Sequence, residues 1–356
     1  MPFAEILDKY QYRVNQELEN VFRAILEDAG KLGGVYVDYY RNLRDFVMRG
    51  GKRLRPVSFI MAYKGVGGKD YESIIKASPS IELLHNSTLI HDDIIDEDHI
   101  RRGGPTFHIV YTDWFEQKFS GRDSIRFGEA MAILGGDNLF ELGLSILTKA
   151  NFSSNFLLQA IDIYRETYKK ICEGQILDIL WENRAEVTEE EYFDMISMKT
   201  GSLFVGSPLI GCTLGNGSPR QFELLKKYSL LMAQAFQVQD DVLGTFGLEE
   251  ETGKPTDSDI RQGKRTLMVI KAIEMSSAQD KKILLKTLGN KKAPRDDVEH
   301  VKKIIRQTGA LDYVKEKASN LAKPAIGEIL KESEIFTAEA IEFFSGLAEF
   351  VLNRKL

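Results

Sequence analysis

Leu89-Ile90-His91-Asp92-Asp93-Ile94-Ile95-Asp96, followed at once by Glu97-Asp98 and then by Arg101-Arg102, is the stretch from which the rest of the chain is read. Five carboxylates fall within seven residues, and an apolar run leads into them without a break. The pattern predicts the polar end of a buried helix, with Asp92 and Asp96 one turn apart on one face. Two carboxylates so placed need a cation if they are to share a wall of low dielectric. Mg²⁺ suits them, because it prefers oxygen ligands and is held through one or two carboxylates plus substrate phosphates. By itself the cluster is a weak signal. Acids make up 53 of 356 residues, so three at fixed positions arise about once per chain by chance. The remaining sequence has to supply the other half of a diphosphate site.

Working outward, His85 stands seven residues before Asp92 and therefore on the same face of the helix predicted over Ser80 to Asp96. A lone histidine is more often a satisfied core residue than a ligand contact. Further upstream, Gly50-Gly51-Lys52-Arg53-Leu54-Arg55-Pro56 sets three cations beside two glycines and a proline. Such a stretch leaves positive charge and bare N–H groups at a helix start, an arrangement that binds anions. Lys52 and Arg55, three apart, can share one face, although a solvated basic turn is the plainer reading. Downstream, Arg101-Arg102-Gly103-Gly104-Pro105-Thr106 breaks the helix and sets two guanidiniums near the carboxylates, where they suit bidentate diphosphate contacts. A second aspartate pair closes another apolar run in Phe236-Gln237-Val238-Gln239-Asp240-Asp241-Val242-Leu243-Gly244. The loop after it, Glu249 to Lys264, mixes both signs of charge, as a lid over a metal-bound diphosphate would.

The rest of the chain predicts helix almost throughout. Apolar content is 43%, prolines number nine, and no alternating Val/Ile/Thr runs with hairpin turns are present. An amphipathic stripe from Phe3 to Glu27 is expected to end at Gly30, Gly33 and Gly34, and a second runs from Tyr36 to Met48. Gly135-Gly136-Asp137 lets a neighbour approach the helix of Gly128 to Lys149, while Gln175 and Asp178, on the helix of Asn155 to Trp181, read as core. Thr188 with Glu191 forms a capping box, and Ser218-Pro219 starts the next helix. Beyond Gln279 the lysine-rich segments show no chemistry. With no fixed-period repeat and no linker, one domain over residues 1–356 is the economical reading. Net charge of −6 gives no footprint for nucleic acid. Cys172 and Cys212 lack metal or disulfide spacing and fit a reducing, cytoplasmic setting. Glu5, Asp8 and Glu17 argue against a signal peptide, and no run of eighteen apolar residues is present to span a membrane.

Taken in order, Gly51-Lys52-Arg53-Leu54-Arg55-Pro56, Leu84-His85, Asp92-Asp93-Ile94-Ile95-Asp96, Arg101-Arg102-Gly103, Lys199-Thr200-Gly201, Gln237 with Asp240-Asp241, and Gly253-Lys254-Pro255 through Gly263-Lys264-Arg265-Thr266 resemble the trans-isoprenyl diphosphate synthases of the farnesyl and geranylgeranyl type. Each motif is weak alone, but seven in sequence are specific. The resemblance implies an all-α fold, a large antiparallel helical bundle around a central substrate cavity, formed by one polyprenyl synthetase domain and usually homodimeric. It implies Mg²⁺ held by Asp92, Asp96 and Asp240, with Arg101, Lys199, Lys254 and Lys264 on the allylic diphosphate. It assigns Lys52, Arg55, His85 and Arg102 to isopentenyl diphosphate, and Thr200 and Gln237 to the flank of the allylic cation.

The resemblance also implies that the growing chain runs down beside the helix that precedes Asp92. Ser87 and Thr88 there are small where farnesyl-stopping enzymes carry aromatic bulk, and Leu84 lies roughly 12 Å below Asp92. Geranylgeranyl diphosphate is the expected product, with geranylfarnesyl or longer products the alternative. A farnesyl synthase, a class I terpene cyclase, a non-catalytic accessory subunit and a helical scaffold with acidic turns are the other readings. A cyclase has no use for the second basic site of Gly51 to Arg55 with His85. An accessory subunit draws its only support from Gly244, which stands where the family's second motif often has a third aspartate. Asp257 and Asp259 are candidate substitutes, and Asp241 is expected to support Asp240 through water or a lysine.

Overall fold

The computed structural model describes residues 1–119, 123–247 and 256–352. The all-α expectation holds: the only strands among the described residues are β1 (Ile100–Arg101) and β2 (Gly104–Pro105), paired antiparallel. The helices group into two compact units, one of residues 1–164, 207–219 and 336–343, the other of the remaining described chain.

In the first unit, α1 (Phe3–Leu32) buries Ile6, Tyr10, Val14, Leu18 and Phe22 along its expected stripe. It outruns its predicted end because Gly30 is simply absorbed into the helix, where glycine costs about 1 kcal/mol. Gly33 alone, at φ 127°, breaks the chain, and Gly34 opens α2 (Gly34–Met48). Next come α3 (Leu54–Gly65), α4 (Tyr71–Ala77), α5 (Pro79–Ile95), α6 (Phe107–Lys118) and α7 (Ser124–Thr148).

α5 lies along α7 because glycines remove side chains from the seam. A Cβ on Gly143 would fall 2.5 Å from Tyr164 Oη and 2.8 Å from the Ser80 carbonyl oxygen, and one on Gly136 would fall 2.2 Å from His91 Nε2. Among the described residues α7 is also the one helix long and apolar enough to cross a membrane by length and composition. It passes on mean hydropathy, having few charged residues, although its glycine side is packed on α5 and α6. The segment 336–343 seats Ala340 against Gly65 and pairs Glu339 with Lys64, which also bonds Tyr10.

The second unit takes its core from Trp181, Tyr192, Val238, Val242, Leu267, Ile270, Val301 and Val314, among others. The helix α8 (Ser154–Glu182) reaches into it, and α9 (Glu189–Lys199) begins at the expected capping box, with both reciprocal bonds of Thr188 and Glu191 present. After α10 (Gly201–Leu214), α11 (Pro219–Phe246) carries the second aspartate pair. Short and long helices follow at Ser258–Gln262, Leu267–Met275, Arg295–Gln307 and Ala310–Lys331.

Candidate active site

In the first unit the last turn of α5 carries Asp92 and Asp93, and Asp96 caps it with its N–H on the Asp92 carbonyl at 2.8 Å. Arg102 at φ 51° and Gly103 at φ 71° then make the two-residue turn of a tight hairpin, which returns the chain over the helix end. The hairpin aims Arg101 at the carboxylates. Its Nε donates to Asp93 Oδ1 at 2.5 Å, and Nη2 lies 3.7 Å from both Asp92 Oδ2 and Asp98 Oδ2. Burial works against the guanidinium charge, but Asp93 and Asp92 outweigh it and the group stays cationic. Asp93 is wholly buried and serves as the anchor for Arg101, whereas Asp92 and Asp96 remain partly exposed.

The neighbouring Arg102 points elsewhere. Its guanidinium lies 3.4 Å from where a Cβ on Gly51 would be, with Nη1 3.4 Å from the Arg49 carbonyl and 3.5 Å from Asn86 Oδ1. Arg55 Nη1 approaches His85 Nε2 at 3.4 Å. Burial first, then Arg55 and Arg102, hold the His85 ring well below its usual range and therefore neutral. Because arginine can only donate, Nε2 accepts and the ring proton sits on Nδ1. Arg55, His85 and Arg102 thus share one basic neighbourhood. Lys52 does not share a helix face with Arg55, for it is exposed and precedes α3.

Arg53, quoted in the motif but given no role, proves structural. In the left-handed region at φ 52°, it donates to Glu82 Oε1 at 2.6 Å, Asn15 Oδ1 at 2.9 Å and the Val47 carbonyl at 2.8 Å. Its signal in the sequence was Glu82, a charge amid Ile81, Leu83 and Leu84 that had to find a buried cation. Arg49, also missed, pins the hairpin through the Pro105 carbonyl at 2.7 Å, and Gly104 has no side chain to obstruct it.

Of the product-length residues, Ser87 and Leu84 are buried and Thr88 is half-buried, its hydroxyl donating to the His85 carbonyl at 2.7 Å. Ser87 shares its helix face with Leu83 and His91, the side chains that meet α7 at Gly143 and Gly136. Its hydroxyl finds no hydrogen-bond partner among the described residues.

In the second unit Asp178, read as core in the sequence, instead joins two of the candidate lysines. Its Oδ2 accepts from Lys199 Nζ at 2.6 Å and from Lys264 Nζ at 2.9 Å, and Lys264 also meets Glu182 at 2.7 Å. Burial raises its pKa, but the two ammoniums outweigh burial and hold the carboxylate low. Gly174 allows the contact, since a Cβ there would fall 2.2 Å from the Lys199 nitrogen. Thr200 Oγ1 donates to Gln237 Oε1 at 2.6 Å, Gln237 Nε2 to Asp241 Oδ1 at 2.7 Å, and Tyr192 Oη to Asp241 Oδ2 at 2.7 Å.

Asp241 is thus engaged by Tyr192 and Gln237, while Asp240 lies exposed. Burial, then Asp259, push the Asp241 carboxyl up to about 8. A Cβ on Gly244 would lie 3.2 Å from Asp259 Oδ2, so the Asp259 carboxylate flanks the position that lacks an aspartate. Lys254 falls outside the described residues. The turn bearing Lys264 is held by the segment read as having no chemistry. The Gly289 N–H donates to the Ile260 carbonyl at 3.0 Å, and Gly263, at φ 83°, packs closely on Gly289.

No cluster of three or more His, Cys, Asp or Glu among the described residues forms a complete metal cage. Asp92 with Asp96, and Asp240 with Asp259 on either side of Asp241, are instead partial sets of hard oxygen donors. Such sets fit an ion of the Mg²⁺ kind, which fills its remaining positions with water and phosphate oxygens.

A model of the family described as polyprenyl synthetase matches residues 38–306. A geranylgeranyl diphosphate synthase of Saccharolobus solfataricus is 36% identical over 99% of this chain and 97% of its own. One of Sulfolobus acidocaldarius is 38% identical over 86% of this chain and 88% of its own. Among solved structures, geranylgeranyl pyrophosphate synthase from Corynebacterium glutamicum, complexed with isoprenyl diphosphate and magnesium, superposes with a TM-score of 0.92 at 29% identity, covering 98% of this chain and 99% of that one. The chain belongs to the polyprenyl synthetase family, whose members are chain-elongating prenyltransferases.

Proposed function

We propose that the protein condenses isopentenyl diphosphate head-to-tail with an allylic diphosphate and releases geranylgeranyl diphosphate. One observation carries the two-substrate reading. Arg55, His85 and Arg102 form a basic neighbourhood beside Arg101, whose guanidinium lies against Asp92, Asp93 and Asp98 instead. A cyclase ionising a single diphosphate has no need of it. In this reading Arg101, Lys199, Lys254 and Lys264 bind the allylic diphosphate, and Lys52, Arg55, His85 and Arg102 bind the isopentenyl one. Neutral His85 adds a hydrogen-bond donor without further charge.

Asp92, Asp96 and Asp240 would hold Mg²⁺, which when bound supplies Lewis-acid withdrawal of the leaving diphosphate. Thr200 and Gln237 turn oxygen dipoles toward the allylic carbon as its C–O bond breaks. The isopentenyl double bond then attacks that carbon, and the resulting cation gives up a proton to the departed diphosphate, so no side-chain base is required. Small residues at 87 and 88 and the relatives' names support the geranylgeranyl product.

Chromatography of products from dimethylallyl and isopentenyl diphosphates, with and without Mg²⁺, tests the reading. A geranylgeranyl endpoint that needs Mg²⁺ is expected. A farnesyl endpoint sinks the product, and consumption of the allylic substrate alone sinks the two-substrate reaction in favour of a cyclase. Ser87→Phe is expected to shorten the product, and an unchanged product would remove this position from the tunnel wall. We further propose a cytoplasmic homodimer, supported by unpaired Cys172 and Cys212 and by exposed Ile133 and Leu134 on α7. Sedimentation velocity should read twice the monomer mass.

A further inference from the structure

We propose that Tyr192 is a positioning residue for the Thr200–Gln237 pair and acts on it through Asp241. The inference rests on the reading that this pair flanks the allylic cation. Tyr192 and Thr200 bracket α9, while Gln237 and Asp241 stand one turn apart on α11, and three hydrogen bonds of 2.6 to 2.7 Å join the four in series. What the series fixes is polarity.

A glutamine amide fits its site equally well with oxygen and nitrogen exchanged, so its neighbours decide which end faces where. Both Asp241 oxygens accept, Oδ2 from the Tyr192 hydroxyl and Oδ1 from Gln237 Nε2, so Asp241 takes the NH₂ end of Gln237 and thereby turns Oε1 toward Thr200. The Thr200 hydroxyl must then donate to Gln237, which leaves its lone pairs for the ligand side. With the amide reversed, Thr200 would accept from nitrogen and turn its O–H outward, the wrong pole for a developing cation.

Tyr192 secures the carboxylate that enforces this choice. It is 1% exposed, packed in the core of its unit, and its hydroxyl occupies the other Asp241 oxygen. Burial and Asp241 keep that phenol far above its usual range, so it remains a donor at any working pH. Nothing on Tyr192 needs to touch substrate for its loss to be felt in the chemical step.

The test is a double-mutant cycle. Tyr192→Phe is expected to lower kcat about tenfold while both KM values stay within about twofold, the pattern of a lost outer partner rather than a lost binding contact. In a Gln237→Leu background the same change should lower kcat no further, because the group it orients is gone. Equal losses in both backgrounds, a rise in KM with kcat intact, or a lower melting temperature with kcat intact would each overturn the proposal. Asp241→Asn, which weakens the same series, should give the same kcat signature and replaces Tyr192→Phe if that variant does not fold. A wild-type enzyme that forms no elongated product would refute the underlying reading. A competent wild type beside an unaffected Tyr192→Phe overturns the positioning role alone.

Discussion

At the scale of single residues, Gly244 shows how a missing side chain can be read from its neighbour. The family pattern led to an aspartate there, and the space such a residue would enter borders Asp259 Oδ2. Gly244→Asp should therefore harm the protein rather than repair the motif. Another carboxylate beside Asp259 adds like-charge repulsion worth about 1–2 kcal/mol. The urea midpoint at pH 7 without Mg²⁺ should fall accordingly, and an unchanged or higher midpoint would refute the substitution by Asp259. Candidate residues for an ion or a diphosphate stood out in the sequence because acids or bases lie beside apolar runs, as at Asp92, Asp240 and Arg55. Asp178 was not, because an isolated acid on a long helix does not reveal that Lys199 and Lys264, 21 and 86 residues away, converge on it.

At the scale of elements, the α5–α7 seam was foreseen in kind from Gly135-Gly136, though the tightest contact against backbone falls at Gly143. Gly143→Ala would drive a methyl group into the Ser80 carbonyl and the Tyr164 hydroxyl, which is itself bonded to the Phe140 carbonyl at 3.2 Å. Because backbone cannot swing aside, we expect a loss of about 1–3 kcal/mol in denaturant unfolding. Gly34→Ala, with nothing within 4 Å, is the control and should stay within about 0.5 kcal/mol. A harmless Gly143→Ala would mean that the seam is loose. Helix starts were legible where side chains cap them, as at Thr188 and Glu191. The end of α1 was not, since only backbone torsion separates Gly33, at φ 127°, from helical Gly30. The β1–β2 hairpin was read only as a helix break, because two-residue strands leave no alternation to detect.

At the scale of the whole molecule, helical class and family were legible because they rest on many weak signals in order. The grouping of helices into compact units was not, since each is assembled from separate stretches of chain. Stability against acid rests partly on Glu189, which accepts from Lys317 at 2.6 Å, Tyr313 at 2.7 Å and Lys271 at 2.8 Å and so ties α9 to two later helices. Burial opposes its charge, yet these bonds hold the carboxyl at about 2, below its ordinary 4.5. A depressed carboxyl stabilises above its unfolded value and loses that contribution as pH falls toward the folded one. Glu189→Gln should cost about 1 kcal/mol at pH 7, discounted for nearby water, and flatten the decline in stability between pH 4.5 and 2. Melting curves across that range would show parallel slopes if the network carries nothing. The hairpin also limits tolerance to insertion and deletion. Arg101 and Arg102 serve different neighbourhoods only because a two-residue turn fixes which faces where. One extra residue before Arg101 would exchange their directions, so length variation among engineered or diverging sequences should be purged from residues 97–105 even where side-chain changes are accepted.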